Sequence, residues 1–430
     1  MGVLSGCLLP NERLEVCHGP TTFSGHFFVL SVSRLEPPAE KRLVYCVALA
    51  ACFFQFESFM IVVALPDMAR ELQASAHAVS YVISGLLFGL VATLVSASWL
   101  GQRLGFSRLF LTGTYLATLA TIACGASPSL SVLIVSRIVQ GIGIGAIVAS
   151  SYALLALWVS AKRLGWAFGL LSTGAGAGMI LGLPVGGLIA SYFEWRWLFF
   201  GTVPFLLALT LFAHKSLPPV KRVLQPQNTR VTLKDILKLP NFLIGLLVLF
   251  IFQGVMGGLR FLTPFLLENQ TGTAPVVSGL IFLSYPLGFL LLSAWSGRQA
   301  DTFSPKRLML FASYLSLSAC LLYLLFIDSW GVWHFSMFLL LLGAATGLFT
   351  PPNNVAILRG LSEAEIQVAS TLIPISLNAS LMFGTFSFGL IFKEHDPSLV
   401  LIISIAAFAG IIFLTKGEQI LPVQVKDKVT

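Results

Sequence analysis

From Leu43 to Pro66 the chain runs for 24 residues with one charged side chain, Glu57. Two settings accommodate such a run. It is a membrane-crossing helix, or it is a buried helix of a soluble protein whose acid is paired. Composition decides between them. The 430 residues are 56% hydrophobic and only 10% charged, with 35 phenylalanines and a mean hydropathy of +0.89. Ordinary soluble domains carry about 25% charged residues. One soluble core cannot absorb this much apolar surface, so the membrane class comes first.

A crossing helix needs roughly 20 apolar residues. Twelve runs qualify: 43–65, 79–100, 109–128, 131–157, 165–190 and 197–213, then 242–262, 276–296, 308–326, 335–357, 367–391 and 398–415. The pattern is that of an all-α polytopic membrane protein with twelve transmembrane helices in two six-helix halves. The N-terminal half spans 43–213 and the C-terminal half 242–415. A polar, basic connector (214–241) joins them, and a tail (416–430) follows. Residues 1–42 are mixed in character. Their apolar patch HFFVLSV lacks the basic start and small-residue end of a signal peptide, so the segment reads as a poorly structured cytoplasmic extension.

Lys and Arg test the helix count. With a cytoplasmic N-terminus, 19 of the 26 fall on the cytoplasmic side: Lys41 and Arg42 before the first run, and the others in connections or the tail, six of them in the central connector. Four fall outside: Arg70, Arg196, Arg260 and Lys393. This bias predicts both termini in the cytoplasm. It also accounts for the net charge of +8, which forms no basic patch for nucleic acid. The two halves echo each other: SWLGQRLGFSR (98–108) follows the second run and SGRQADTFSPKR (296–307) the eighth. Duplicated halves point to a transporter built from repeats. The six cysteines (Cys7, Cys17, Cys46, Cys52, Cys124, Cys320) form no CxxC pair, and four lie in apolar runs as buried thiols.

At these motifs the chain resembles the major facilitator superfamily, most of all its drug:proton antiporters, whose usual members have fourteen helices. FESFMIVVALP is similar to that branch's LDxTIVNVALP, with Glu57 on the family's Asp and Val62 in place of its Asn. SWLGQRLGFSR is similar to GxLADRxGRR through Leu100, Arg103 and Gly105, with Gln102 where the family has Asp. The second-half copy keeps Gly297 and Asp301. LIVSRIVQGIGIG matches RxxQGxGxG at Arg137, Gln140, Gly141, Gly143 and Gly145. GMILGLPVGG resembles GxxxGPxxGG, with Pro184 one position late. WRWLFFGTVP and PFLLENQTGTAPVVSGL resemble further family segments. The resemblance covers 43–415 and implies a twelve-helix relative with the major facilitator fold. It assigns proton transfer to Arg137 and gating to Arg103, Gly105, Gly182, Pro184, Gly186, Gly187 and Asp301.

The residues carry their own physical reading. Glu57 lies about 20 Å into a core about 30 Å thick, past its midplane. A carboxylate facing lipid there is expensive, so it faces a cavity or a partner. Burial favours the neutral acid, which is what proton coupling requires; the alternative is a paired Glu that only orders helix packing. Arg137 needs water, a cavity or an acid, and Glu57 is the natural candidate. Gln140, three residues on, shares its side of the helix. It is able to bond Arg137 or line the substrate route. Gln253, Asn353, Asn354 and Asn378 are the polar residues of the second half and are candidates to line a substrate cavity. The glycines Gly182, Gly186 and Gly187 with Pro184 predict a sliding contact between halves, or tight static packing.

No HExxH, GxSxG or nucleotide-binding loop occurs, so the chain is not an enzyme, and no metal site or cofactor is expected. The reading is a monomeric secondary transporter in the lipid bilayer, multi-pass in the cell membrane, the bacterial inner membrane by the resemblance. It would couple protons to efflux of an apolar or amphipathic small molecule. Transport of one metabolite or metal chelate in either direction is the alternative, and a transport-inactive sensor is a more distant one.

Overall fold

The computed structural model describes residues 37–159, 163–218, 236–302, 304–325, 331–359, 361, 363–394 and 397–416. The expected N-terminal extension up to 36, most of the central connector and the tail beyond 416 lie outside the described residues. Within them the regular elements are helices: α1 (Pro37–Glu71), α2 (Ala76–Leu104), α3 (Phe106–Gly125), α4 (Leu130–Trp158), α5 (Leu164–Tyr192), α6 (Arg196–Phe200), α7 (Val203–Ser216), α8 (Pro240–Thr271), α9 (Pro275–Phe282), α10 (Ser284–Thr302), α11 (Pro305–Leu325), α12 (Val332–Leu358), α13 (Glu363–Glu394) and α14 (Pro397–Lys416). α6 with α7 makes one crossing, and so does α9 with α10.

Among the described residues eleven helices are long and apolar enough to cross a membrane. α3 is the twelfth crossing. Its 20 residues reach about 30 Å. Arg108 and four threonines dilute its apolar character, yet Thr112, Thr114, Thr118 and Thr121 each donate their hydroxyl to a carbonyl of the preceding turn. A hydroxyl satisfied in this way adds little polar surface to the bundle.

Local chemistry sets the helix ends. Ser75 and Ser129 cap α2 and α4, accepting hydrogen bonds from Ala78 N and Val132 N. Prolines open α7, α8 and α9, where a missing N–H costs nothing. Gly105 turns the chain between α2 and α3 at φ 84°, a conformation that side chains rarely adopt.

The packing repeats. In the first half α1 lies on α5, α2 on α4, α3 on α4, and α3 on α7. Six crossings later the same pairs recur: α8 on α13, α10 on α12, α11 on α12, and α11 on α14. The halves meet each other through α2 with α13 and α5 with α9, two contacts that exchange under the same six-crossing shift. The internal duplication is therefore present in three dimensions. With twelve crossings, Pro37 and Lys416 lie on one face of the bundle, called here the termini face. The opposite one is the far face.

α8 continues through Pro264 to Thr271, beyond the run 242–262 expected from the sequence, so Arg260 stands about 16 Å from the helix end. Pro264 sits inside α8 without ending it.

Candidate functional site

α1 brings Glu57 into the first half, where it meets Arg137 and Gln140 of α4. All three are buried, at 1%, 2% and 0% exposure. Arg137 Nη1 donates to Glu57 Oε1 at 2.8 Å and to Gln140 Oε1 at 2.7 Å. Gln140 Nε2 donates to the same Glu57 Oε1 at 2.6 Å and to Thr121 Oγ1 of α3 at 2.7 Å. Arg137 Nε donates to the Val82 carbonyl of α2, and the guanidinium carbon lies 5.6 Å from the Phe199 ring of α6. Cys124 Sγ approaches Gln140 Oε1 at 3.8 Å. Side chains or backbone from α1, α2, α3, α4 and α6 thus converge on one ion pair.

The geometry has a chemical asymmetry. Glu57 Oε1 takes both charge-assisted bonds, and Glu57 Oε2 is buried without a partner among the described residues. A proton on Oε2 would leave both bonds to Oε1 in place. It would also leave Arg137 without a counter-charge. Thr121 and Phe199 were not singled out from the sequence. Thr121 is one of several threonines on α3, and only its i to i+3 neighbour Cys124 on the same face hints at a site.

The second half assembles a different set. Gln253 Nε2 of α8 donates to Thr350 Oγ1 of α12 at 2.9 Å. Tyr285 OH of α10 donates to Thr346 Oγ1 at 3.1 Å. Pro351 frees the Gly347 carbonyl, and Ser296 Oγ takes it at 2.6 Å. Asn353 is fully buried with neither amide atom partnered, and Asn354 Oδ1 also lacks a partner. Thr346, Thr350 and the pair Asn353–Asn354 follow one another along one side of α12. Phe252 stacks on Phe349 at 3.8 Å beside them. Asn378 stands apart from that row: it donates to the Pro374 carbonyl of its own helix α13. Gln140 belongs to the Glu57 cluster and not to this second group.

The residues expected to gate lie in several places. Arg103 stacks on Trp99, 4.1 Å from the ring centroid, next to the Gly105 turn on the termini face. Asp301 lies in α10, its side chain outside the described residues. Gly182 and Gly186 continue a stripe with Gly174 and Gly178. A Cβ on any of the four would strike a carbonyl oxygen of α1, from Ala48, Cys52, Phe56 and Met60 in turn. These glycines pack within the first half, which corrects the expectation that they face the second. The reason is their four-residue spacing, which matches the carbonyl row of α1. Gly187, one position round, does meet the second half: its Cβ would lie 2.8 Å from the Pro275 carbonyl. Pro184 sits inside α5 without ending it.

Contacts at the far face join the halves. Arg70 of α1 pairs with Glu268 of α8 and with Asp67. Val276 N of α9 donates to Ser191 Oγ of α5 at 2.8 Å. Phe386 of α13 packs on His77 and Tyr81 of α2 at 5.9 and 5.6 Å.

Twelve crossings in two halves with one packing plan define an α-helical multi-pass membrane protein. Residues 47–274 and 258–427 match the family model described as Major Facilitator Superfamily, and the chain belongs to that family. It is 23% identical over 384 residues to the riboflavin transporter RibZ of Clostridioides difficile, which covers 77% of this chain and 84% of that protein. It is 26% identical over 332 residues to the multidrug resistance protein MdtG of Salmonella dublin, covering 74% and 81%. Its fold is similar to the crystal structure of a D-xylose-proton symporter, with a TM-score of 0.74 at 14% identity over 87% of this chain and 97% of that one.

Proposed function

We propose that this transporter couples proton movement to the efflux of an apolar or amphipathic small molecule by alternating access. The observation that carries the reading is the buried Glu57 with one saturated and one unpartnered oxygen, held against Arg137. With Glu57 ionised, the pair is neutral and sits in low dielectric. A proton arriving at Oε2 cancels the carboxylate and leaves a buried, uncompensated guanidinium. Such a charge costs several kcal/mol, so the protonated site favours a conformation in which Arg137 reaches water. That difference between states is what a coupled transporter needs.

The Lys and Arg bias orients the termini face to the cytoplasm, in a bacterial inner membrane, so the far-face contacts close the outward side. Monomers suffice, because the proposed coupling pair and the second-half polar row both lie within one chain. In this reading the helix ends that carry Arg103 and Asp301, together with Gly187, gate the cavity. The likeness to MdtG supports efflux of varied compounds. The likeness to RibZ over most of both chains supports a second reading, transport of one metabolite.

The test is substrate-stimulated proton movement across liposomes holding the purified protein. Wild type should move protons on substrate addition, and Glu57→Gln should bind substrate yet lose the proton signal. Equal coupling in both proteins would sink the proposal. Competition by many unrelated compounds favours the efflux reading, and competition by one scaffold alone favours the metabolite reading.

A further inference from the structure

From Phe252 to Leu267 every residue of α8 is buried except one, Arg260. The opening in this buried stretch therefore falls at its only charge. The neighbours of Arg260 come from both halves. Its guanidinium carbon lies 5.8 Å from the ring centroid of Phe59 on α1 and 5.2 Å from that of Tyr285 on α10. Its Nε donates to the Met256 carbonyl of its own helix at 3.2 Å. No carboxylate pairs with it among the described residues. Glu57, two residues from Phe59, is committed to Arg137, and Glu268, about 12 Å along α8, is committed to Arg70.

A guanidinium at this depth needs a counter-charge, water or a cavity. Aromatic contacts and one carbonyl order Arg260 but leave Nη1 and Nη2, the edge suited to a two-oxygen acceptor, uncommitted. The surroundings extend the site. Tyr285 bonds Thr346, and Gln253, two helical turns from Arg260 on the same side of α8, bonds Thr350. The row ends at the unpartnered amide of Asn353, fully buried. An unpaired cation, two aromatic rings and orphan hydrogen-bonding groups in one line fit an amphipathic organic anion.

We propose that Arg260 receives the anionic group of the substrate, a carboxylate or similar oxyanion, with Phe59 and Tyr285 against its aromatic or apolar body. This rests on the transport reading and names its substrate class. The experiment uses purified full-length protein and matched triads of naphthyl, biphenyl and indolyl compounds carrying a carboxylate, an alcohol or an ammonium. Binding is read by isothermal titration calorimetry. Wild type should bind the carboxylate of at least one scaffold about 10-fold more tightly than the alcohol, the scale of a charge-assisted bond. Arg260→Gln should abolish that preference while the alcohol binds as before, and Arg260→Lys should retain part of it. No carboxylate preference on any scaffold, through equal binding or none, overturns the inference. So does a preference that survives in folded Arg260→Gln. If that variant does not fold, the wild-type triads and Arg260→Lys decide. Glu57→Gln separates the two readings: loss of coupling with the carboxylate preference kept is expected. Wild-type proton coupling without that preference overturns the Arg260 inference alone. A wild-type preference without proton coupling overturns the coupling proposal alone.

Discussion

The two halves share a packing plan and differ in how they treat buried polar groups. In the first half, Glu57, Arg137, Gln140 and Thr121 form a closed set with one oxygen to spare. In the second, no carboxylate pairs with Arg260 and no group bonds the Asn353 side-chain amide among the described residues. In the proposed mechanism the duplicated scaffold divides two tasks: the closed, charge-balanced cluster responds to one proton, and the open row of unmet hydrogen-bonding groups receives the substrate. Leaving such groups unmade costs stability, so a folded protein that keeps them has a use for them.

The sharpest way to break this contrast is to open the closed cluster. Arg137→Ala leaves a buried carboxylate alone, and thermal unfolding in detergent should show a loss of about 3–5 kcal/mol. Replacing the pair with apolar residues, as Glu57→Leu with Arg137→Met, should recover most of it; a double variant as unstable as the single would show that the pair is not the source. The next effect concerns the wall behind Glu57. Gly182→Leu forces a side chain into the Phe56 carbonyl and should cost about 1–3 kcal/mol. Gly169→Leu, where a Cβ meets nothing within 4 Å, is the control and should leave the unfolding temperature near wild type.

A matched pair then compares the halves directly. Gln140→Leu strips partners from three buried groups and should destabilise by about 1–3 kcal/mol, whereas Asn353→Leu removes an unsatisfied amide and should stabilise by about 1 kcal/mol. Transport should fall in both. Opposite signs in stability with the same sign in transport are the signature of the division; destabilisation by Asn353→Leu would remove it. The smallest effect is at the far face. Arg70 is exposed, so Arg70→Ala should change stability by less than about 1 kcal/mol. It should still reduce disulfide trapping of a Ser191→Cys and Val276→Cys pair, if the ion pair helps hold the halves together.

Much of this was legible in the sequence because the bilayer is a strict solvent. Charge inside an apolar run is rare, so Glu57 and Arg137 stood out, and the three-residue spacing put Gln140 beside Arg137. What sequence left open was the partner across helices. The row of glycines on α5 announces a close neighbour without saying which, and the structure gives α1 in place of the second half. Thr121 was hidden among threonines that serve only their own helix. Arg260 falls near the end of the run 242–262, where the sequence names no partner across helices; Phe59 and Tyr285 come from other helices. Pairing of this kind depends on rotation about the helix axis, which no local pattern specifies in an apolar run.

The carbonyl-to-glycine contacts between α1 and α5 have a mechanical consequence. Four successive turns meet without side chains between them, which holds α1 and α5 as close as backbones allow, and the same α5 reaches the second half where Ser191 accepts from Val276 N. α1 carries both Glu57 and Phe59, so the α1–α5 pair is tied to the Glu57–Arg137 pair on one side and to the Arg260 ring contact on the other.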